Sequence, residues 1–314
     1  MPRPNSTCFV RFPAPPAAWL EEAPPLARAP LLERLLCRAD ECATAADWRR
    51  EAFELIAAPG ESWPGICPAA LYRAFGPLDA PAVYLATPVR YVPTLTRVHL
   101  AADGLIALEP AEAAQLAADF NRLFAPAQRL LAAPTGALFC VLERPLIAET
   151  QDPAPILGED VGRFQAGGRD APAWRALASE IEMWLHEHPV NRERERRGAA
   201  ALGGLWLWGG GAPLARPPCL AGWAGGADVF FAALDRCESH PRDGRSGVVC
   251  VAATPGSAAW RDAETRWLEP ALGQLAARRH ERLVLSAGRR AYRLGAPQRR
   301  WFWRRARPWW EYFA

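Results

Sequence analysis

The chain has 314 residues, half of them hydrophobic, and a formal net charge of +3. That is enough apolar mass for one large α/β domain or for two domains of about 150 residues each, so disorder as the main state is excluded. The small net charge gives no global argument for nucleic acid, and no run reaches the ~18 apolar residues that a membrane span needs. The start, "MPRPNSTCFVRFPAPPAAWLEE", has no continuous apolar segment of the signal-peptide kind, and the expected location is cytoplasmic.

Proline-rich residues 13 to 30 open the chain as a connection, and helices are expected at 30 to 38 and 46 to 57. In "PAEAAQLAADFNRLFAP" the residues Ala113, Leu116, Ala117, Phe120, Leu123 and Phe124 recur at helical spacing and form one stripe. "GALFCVLE" then reads as a strand, and "AETQDPAPILGED" (148 to 160) as a second proline-rich connection. "APAWRALASEIEMWLHEH" places Trp174, Leu177, Ala178, Ile181, Trp184 and Leu185 on one helical face. "LWLW", "DVFFAAL" and "GVVCVAAT" read as further strands, with a helix at 257 to 279.

These strands are apolar on both faces. That pattern predicts an α/β fold with a mixed, largely parallel sheet covered by helices on both faces, behind a helical, proline-rich N-terminal part. The expected division is 1–165 and 166–314, or one single domain throughout. The eight cysteines form no CxxC pair and several lie in apolar runs, which excludes a zinc ribbon and a disulfide scaffold.

The densest chemistry lies in "HEHPVNRERERRGAAALGGLWLWGGG", residues 186 to 211. On a continuing helix His186 and His188 point roughly 200° apart, so they cannot chelate one ion. His188 continues the apolar stripe, His186 lies on the polar face, and Pro189 is expected to end the helix. "NRERERRG" reads as a solvated, self-paired segment in which Asn191 and Gly198 suit a turn and Arg197 suits an anion. Gly209, Gly210 and Gly211 follow the apolar strand, where backbone amides can approach an anion. The spacing is neither GxGxxG nor a phosphate-binding P-loop.

At these residues the chain resembles the proteobacterial cofactor-independent phosphoglycerate mutase-like proteins, also described as RpfE-type regulatory proteins, of the alkaline phosphatase superfamily. The resemblance is concentrated in residues 174 to 213. It continues more weakly upstream through "TRVHLAADGLIALEPAEAAQLAADFNRLF" and downstream to "RRWFWRRARPWW", covering residues from about 70 to the end. It implies an alkaline-phosphatase-like α/β fold with a metal-bound phosphoryl-transfer site. It also implies a pocket formed by His188, Asn191, Arg197, Gly209 and Gly211, with Gly210 between them. Trp208 stands where the related enzymes have an arginine, and a neutral indole cannot replace a guanidinium on a phosphate.

The metal ligands that this chemistry requires are not recognisable in the sequence. The five histidines, His99, His186, His188, His240 and His280, are scattered; there is no Asp-Gly-x-x-Asp opening and no Asp-x-x-x-His-His cluster. "HPRDGRSG", with His240, Asp243 and Ser246, reads as a surface loop, and His99 as a structural histidine in an alternating strand. The expectation is therefore a regulatory or ligand-binding relative with no catalytic residue, no metal and no cofactor. Its ligand-binding residues would be His188, Asn191, Arg197, Trp208, Gly209, Gly210 and Gly211, and its partner a small phosphorylated or anionic metabolite. An active metal-dependent mutase or phosphatase is the alternative.

Residues 278 to 314 hold eleven arginines against two glutamates, with Trp301, Trp303, Trp309 and Trp310 among them. Arginine and tryptophan together could bind single-stranded nucleic acid. Phe302, Ala306, Trp309, Trp310 and Phe313 nonetheless fall on one stripe opposite Arg300, Arg304 and Arg307, the pattern of a terminal segment docked on a core. The expectation is docking, with neither nucleic acid nor membrane as partner.

Overall fold

The computed structural model describes residues 6–12, 28–43, 47–235, 245–251, 262–295 and 304–313. The chain forms two compact units, Met1–Trp63 with Pro218–Ala314, and the continuous Pro64–Pro217. The first unit contributes β1 (Thr7–Phe12), α1 (Pro30–Leu36), β2 (Asp40–Ala43) and α2 (Trp48–Glu54). The second contains α3 (Ile66–Phe75), β3 (Ala82–Pro93), β4 (Val98–Leu105), α4 (Pro110–Phe124), β5 (Gln128–Ala132), β6 (Leu138–Leu142), α5 (Ala171–His186), α6 (Pro189–Arg196) and β7 (Gly204–Gly211). The first unit then resumes with β8 (Trp223–Gly226), α7 (Val229–Leu234), β9 (Gly247–Cys250), α8 (Glu269–Ala276), β10 (Arg282–Ala287), β11 (Arg290–Gly295) and α9 (Trp309–Phe313). The expected division near residue 165 falls inside the second unit, where β3 and β7, from either side of it, pair in one sheet.

The fold is mixed α/β. In the first unit the strand order is β2-β11-β10-β1-β9-β8, with β10, β1, β9 and β8 mutually parallel and the two strands at the other edge antiparallel. Successive side chains of β1 point to opposite faces. Cys8, Val10 and Phe12 enter a core with α1, α8 and α9, whereas Phe9 stacks on Trp48 of α2, which in turn meets Phe231 of α7. Helices thus cover both faces of this sheet.

The second sheet departs from the expectation of largely parallel pairing: every pair in it is antiparallel. Its strand β6 is buried along its whole length, with Leu138, Cys140 and Leu142 facing the core of α4 and α5, and Phe139 meeting Phe75 of α3. An apolar run reports burial on both faces, and burial alone does not fix strand direction. Direction here follows from a short connection, because only a hairpin can join β5 to β6 through residues 133 to 137. Gly136 takes a positive φ of 87° in that turn, and an added Cβ would lie 2.2 Å from the Leu108 carbonyl oxygen.

The amphipathic stripes are where the periodicity places them. Ala113, Leu116, Ala117 and Phe120 of α4, and Trp174, Leu177, Ile181 and Leu185 of α5, are buried; Leu123, expected on the α4 stripe, is exposed. "DVFFAAL", expected as a strand, is the helix α7. Asp228 caps it by accepting from the backbone N–H groups of Phe230 and Phe231, which satisfies two of the four donors left free at a helix start. In the tail, Trp309, Tyr312 and Phe313 of α9 are buried in the first unit's core, as docking requires. Phe302, Trp301, Trp303 and the loop residues His240 and Asp243 lie outside the described residues. Among the described residues no helix is long and apolar enough to cross a membrane.

Candidate ligand cleft

The residues between α5 and β7 form a brace. Helix α5 ends at His186, and His188 leaves helical geometry (φ −68°, ψ 138°) to become the N-cap of the next helix. The first helix stops before Pro189, as expected, and Pro189 itself occupies the first position of α6, where its missing N–H costs nothing. The arginine-rich run is that helix; Arg192, Glu195, Arg196 and Arg197 are exposed and Glu193 pairs with Arg196 and Arg197, as a solvated, self-paired segment should, whereas Arg194 is buried. His188 Nδ1 accepts from the Val190 N–H at 3.2 Å, which places the ring proton on Nε2. Nε2 stands 3.2 Å from an Asp119 carboxylate oxygen, a close contact that lacks the alignment of a hydrogen bond. Burial, and secondarily the Arg192 charge, push the pKa of His188 below its ordinary value and favour the neutral ring.

Asn191 is buried and used on both sides. Its Nδ2 donates to the carbonyls of Leu185 (2.8 Å) and Leu202 (2.9 Å), and its Oδ1 accepts from the Leu202 N–H at 2.7 Å. It therefore ties the end of α5 to the approach of β7. Arg194, which sequence reasoning missed, donates to Ala200 O and to Glu112 of α4 at 2.8 Å; Arg197 reaches the other Glu112 oxygen at 2.5 Å. Glu112 also accepts from the Glu109 N–H in a capping box. Reading residues 189 to 196 as a helix would have found Arg194, since it lies three residues after Asn191 on the same face.

The glycines belong to the far end of β7. They are part of the strand rather than a turn after it, and the register against β3 shifts beside Tyr84, where Gly209 has a φ of 64°. A Cβ on Gly210 would meet the Tyr84 ring at 2.1 Å, so this glycine is the seat of an aromatic ring. Trp208 donates its indole N–H to the Thr87 hydroxyl at 2.8 Å. From Leu202, which Asn191 holds, to Gly210 the chain advances about 25 Å at strand rise. His188, Asn191 and Arg197 on one side, and Gly209, Gly210 and Gly211 on the other, are thus separate structural devices and do not converge on one pocket.

The second unit has its cleft elsewhere, with a volume of about 1050 Å³. Its walls are the β3–β4 hairpin tip, residues 150–151 and 160–166, one face of α5, and Leu205, Trp206 and Leu207 of β7. Tyr91, Phe164, Trp174 and Trp206 supply aromatic surface, and Arg97, Arg163, Arg175, Asp160 and Glu182 supply charge. The wall at 158–160 is held to β4 by Leu100 N–H to Glu159 O, by Gly158 N–H to Leu100 O, and by His99 Nδ1 at 3.2 Å from Gly158 O. Trp206 is fixed by its indole N–H to Gln151 O at 2.8 Å.

The arginines are lightly held. Arg175 donates to Ala166 O at 3.3 Å, while Arg97 and Arg163 stand 3.5 and 3.6 Å from Asp160 and Glu159. Glu182 makes no hydrogen bond or ion pair with any described residue. Its side chain is open to solvent at the cleft mouth, yet the surrounding walls desolvate its carboxyl and raise its pKa. Burial, and then the nearby Glu182, raise that of the Tyr91 hydroxyl. Among the described residues no group of three or more His, Cys, Asp and Glu side chains converges to hold a metal ion.

No protein-family model matches this chain, and no curated protein matches it. Solved structures similar to it include the cofactor-independent phosphoglycerate mutase of Thermoplasma acidophilum, at 14% identity and a TM-score of 0.36, covering 91% of this chain and 88% of that one. A second is the PH0037 protein of Pyrococcus horikoshii, at 12% identity and a TM-score of 0.35, covering 93% and 88%.

Proposed function

We propose that this chain is a phosphoglycerate mutase-like protein with a regulatory or ligand-binding role, and that the cleft of the second unit takes a small anionic metabolite without transferring a phosphoryl group. The observation that carries the reading is the joining, in one cavity of about 1050 Å³, of an aromatic wall to three arginines whose contacts leave donors available. A guanidinium presents a planar set of donors matched to carboxylate or phosphate, and aromatic faces suit the apolar part of a ligand. The sequence resemblance of residues 174 to 213 supports the family part of the reading. His188, Asn191 and Arg197 enter it as the brace that positions α5 and β7 on two sides of the cleft.

The test is calorimetric titration of the full-length protein with succinate, inorganic phosphate and 3-phosphoglycerate. Saturable binding of at least one of them, lost in an Arg163→Ala/Arg175→Ala variant that keeps the wild-type melting temperature, is the expected result. Binding that the double variant leaves unchanged refutes the site. Interconversion of 2- and 3-phosphoglycerate on addition of manganese, magnesium, zinc or cobalt, abolished by chelator, refutes the non-catalytic role.

A further inference from the structure

The cleft runs along an open strand edge. β7 pairs with β3 alone, so its other edge has no strand partner among the described residues. Pro88 lies opposite Leu205, has no N–H, and gives its carbonyl to the Ile106 N–H at 2.9 Å. The Pro88–Leu205 pair is therefore the non-hydrogen-bonded kind. In an antiparallel ladder the two kinds alternate, so Leu205 and Leu207 both turn their N–H and C=O to the free edge. No described residue bonds these groups, and both residues line the cleft.

The flanking charges have a matching polarity. Arg175, Ala178, Ser179 and Glu182 share one face of α5, with the two small residues between the two charges. Seven residues of helix separate the charged pair by about 10 Å, the span of about three extended residues. α5 runs antiparallel to β7. Trp174 packs on Tyr84, whose ring lies over Gly210 at the exit of the strand, while Glu182 faces Tyr91, whose ring lies over Gly203 and Gly204 at its entry.

We infer that the ligand of this cleft is a short peptide of about three residues with free ends, added to the edge of β7, its ammonium at Glu182 and its carboxylate at Arg175 and Arg163. The peptide runs parallel to β7, with main-chain hydrogen bonds to Leu205 and Leu207 and an aromatic wall at Trp206 beside its side chains. This rests on the cleft being the ligand site, and it refines the anion to a peptide carboxylate.

The test titrates full-length protein with trialanine, N-acetyl-trialanine, trialanine amide and trialanine methylated at the central amide nitrogen. Trialanine is expected to bind, and each blocked end to lower affinity about fivefold, the ceiling for a partly exposed ion pair. Glu182→Gln should abolish only the penalty for acetylation, and the double variant Arg163→Gln/Arg175→Gln only that for amidation. Loss of binding on N-methylation identifies the strand edge. Equal binding of trialanine and its blocked forms overturns the peptide assignment. Absence of trialanine binding, while succinate or phosphate binds through Arg163 and Arg175, also overturns it and leaves the proposed function standing. If neither peptide nor anion binds, both fall.

Discussion

Replacing Asn191 by alanine removes three hydrogen bonds at once, and the structure shows which groups suffer. The Leu185 carbonyl also accepts from the His188 N–H at 3.1 Å, so it keeps a partner. The Leu202 N–H and C=O lose the Asn191 side chain, and Leu202 is buried. A stranded buried polar group costs about 1–3 kcal/mol, so two of them imply a loss of about 2–6 kcal/mol. Asn191→Asp should be worse, because it keeps the acceptor for Leu202 N–H but sets a buried carboxylate against two carbonyls. The assay is urea unfolding followed by circular dichroism, with hydrogen exchange of the Leu202 amide as the local readout. The brace predicts lower midpoints and a deprotected Leu202 amide in both variants. An Asn191→Ala protein that keeps its midpoint and Leu202 protection, yet loses its anion binding, would refute the reasoning and make Asn191 a ligand group.

Gly210→Ala should destabilise the second unit by about 1–3 kcal/mol or more, because the added methyl must displace the Tyr84 ring; thermal melts of the two proteins decide it. Trp309→Ala should cost about 3–5 kcal/mol, since the indole is only 2% exposed in the first unit's core. An unchanged melting temperature would instead make the tail a free arm. His188 and His280 are buried and both have pKa values lowered from 6.5, chiefly by desolvation. Below pH 6.5 the unfolded chain therefore takes up protons that the native state resists, and stability should be full above that pH and fall as pH drops through it. Both His280 ring nitrogens lack hydrogen-bond partners among the described residues, so His280→Leu should flatten the decline in melting temperature between pH 7 and about pH 5.

What the sequence determined by itself was local. A stripe such as Ala113, Leu116, Ala117 and Phe120 defines a helix and its buried face, because the period of 3.6 residues is written in neighbouring positions. The apolar runs marked burial on both sides equally well. They could not separate "DVFFAAL" from a strand on hydrophobicity alone, although Asp228 two residues before Phe230 is the capping signal that favours a helix. Tertiary structure decided strand direction in the second sheet, where short hairpins and the pairing of β3 with β7 across more than a hundred residues set the ladder. It also decided what the motif at 186 to 211 is for. His188 was legible as a histidine on the inward stripe, Asn191 as a turn residue and Arg197 as an anion-suited arginine, but whether they meet a ligand depends on the backbone around them, and Val190, Leu185, Leu202 and Glu112 take their hydrogen bonds. The cleft draws on residues from 91 to 207, and its open edge exists because among the described residues no strand pairs with β7 on that side, a property of packing that no local pattern encodes.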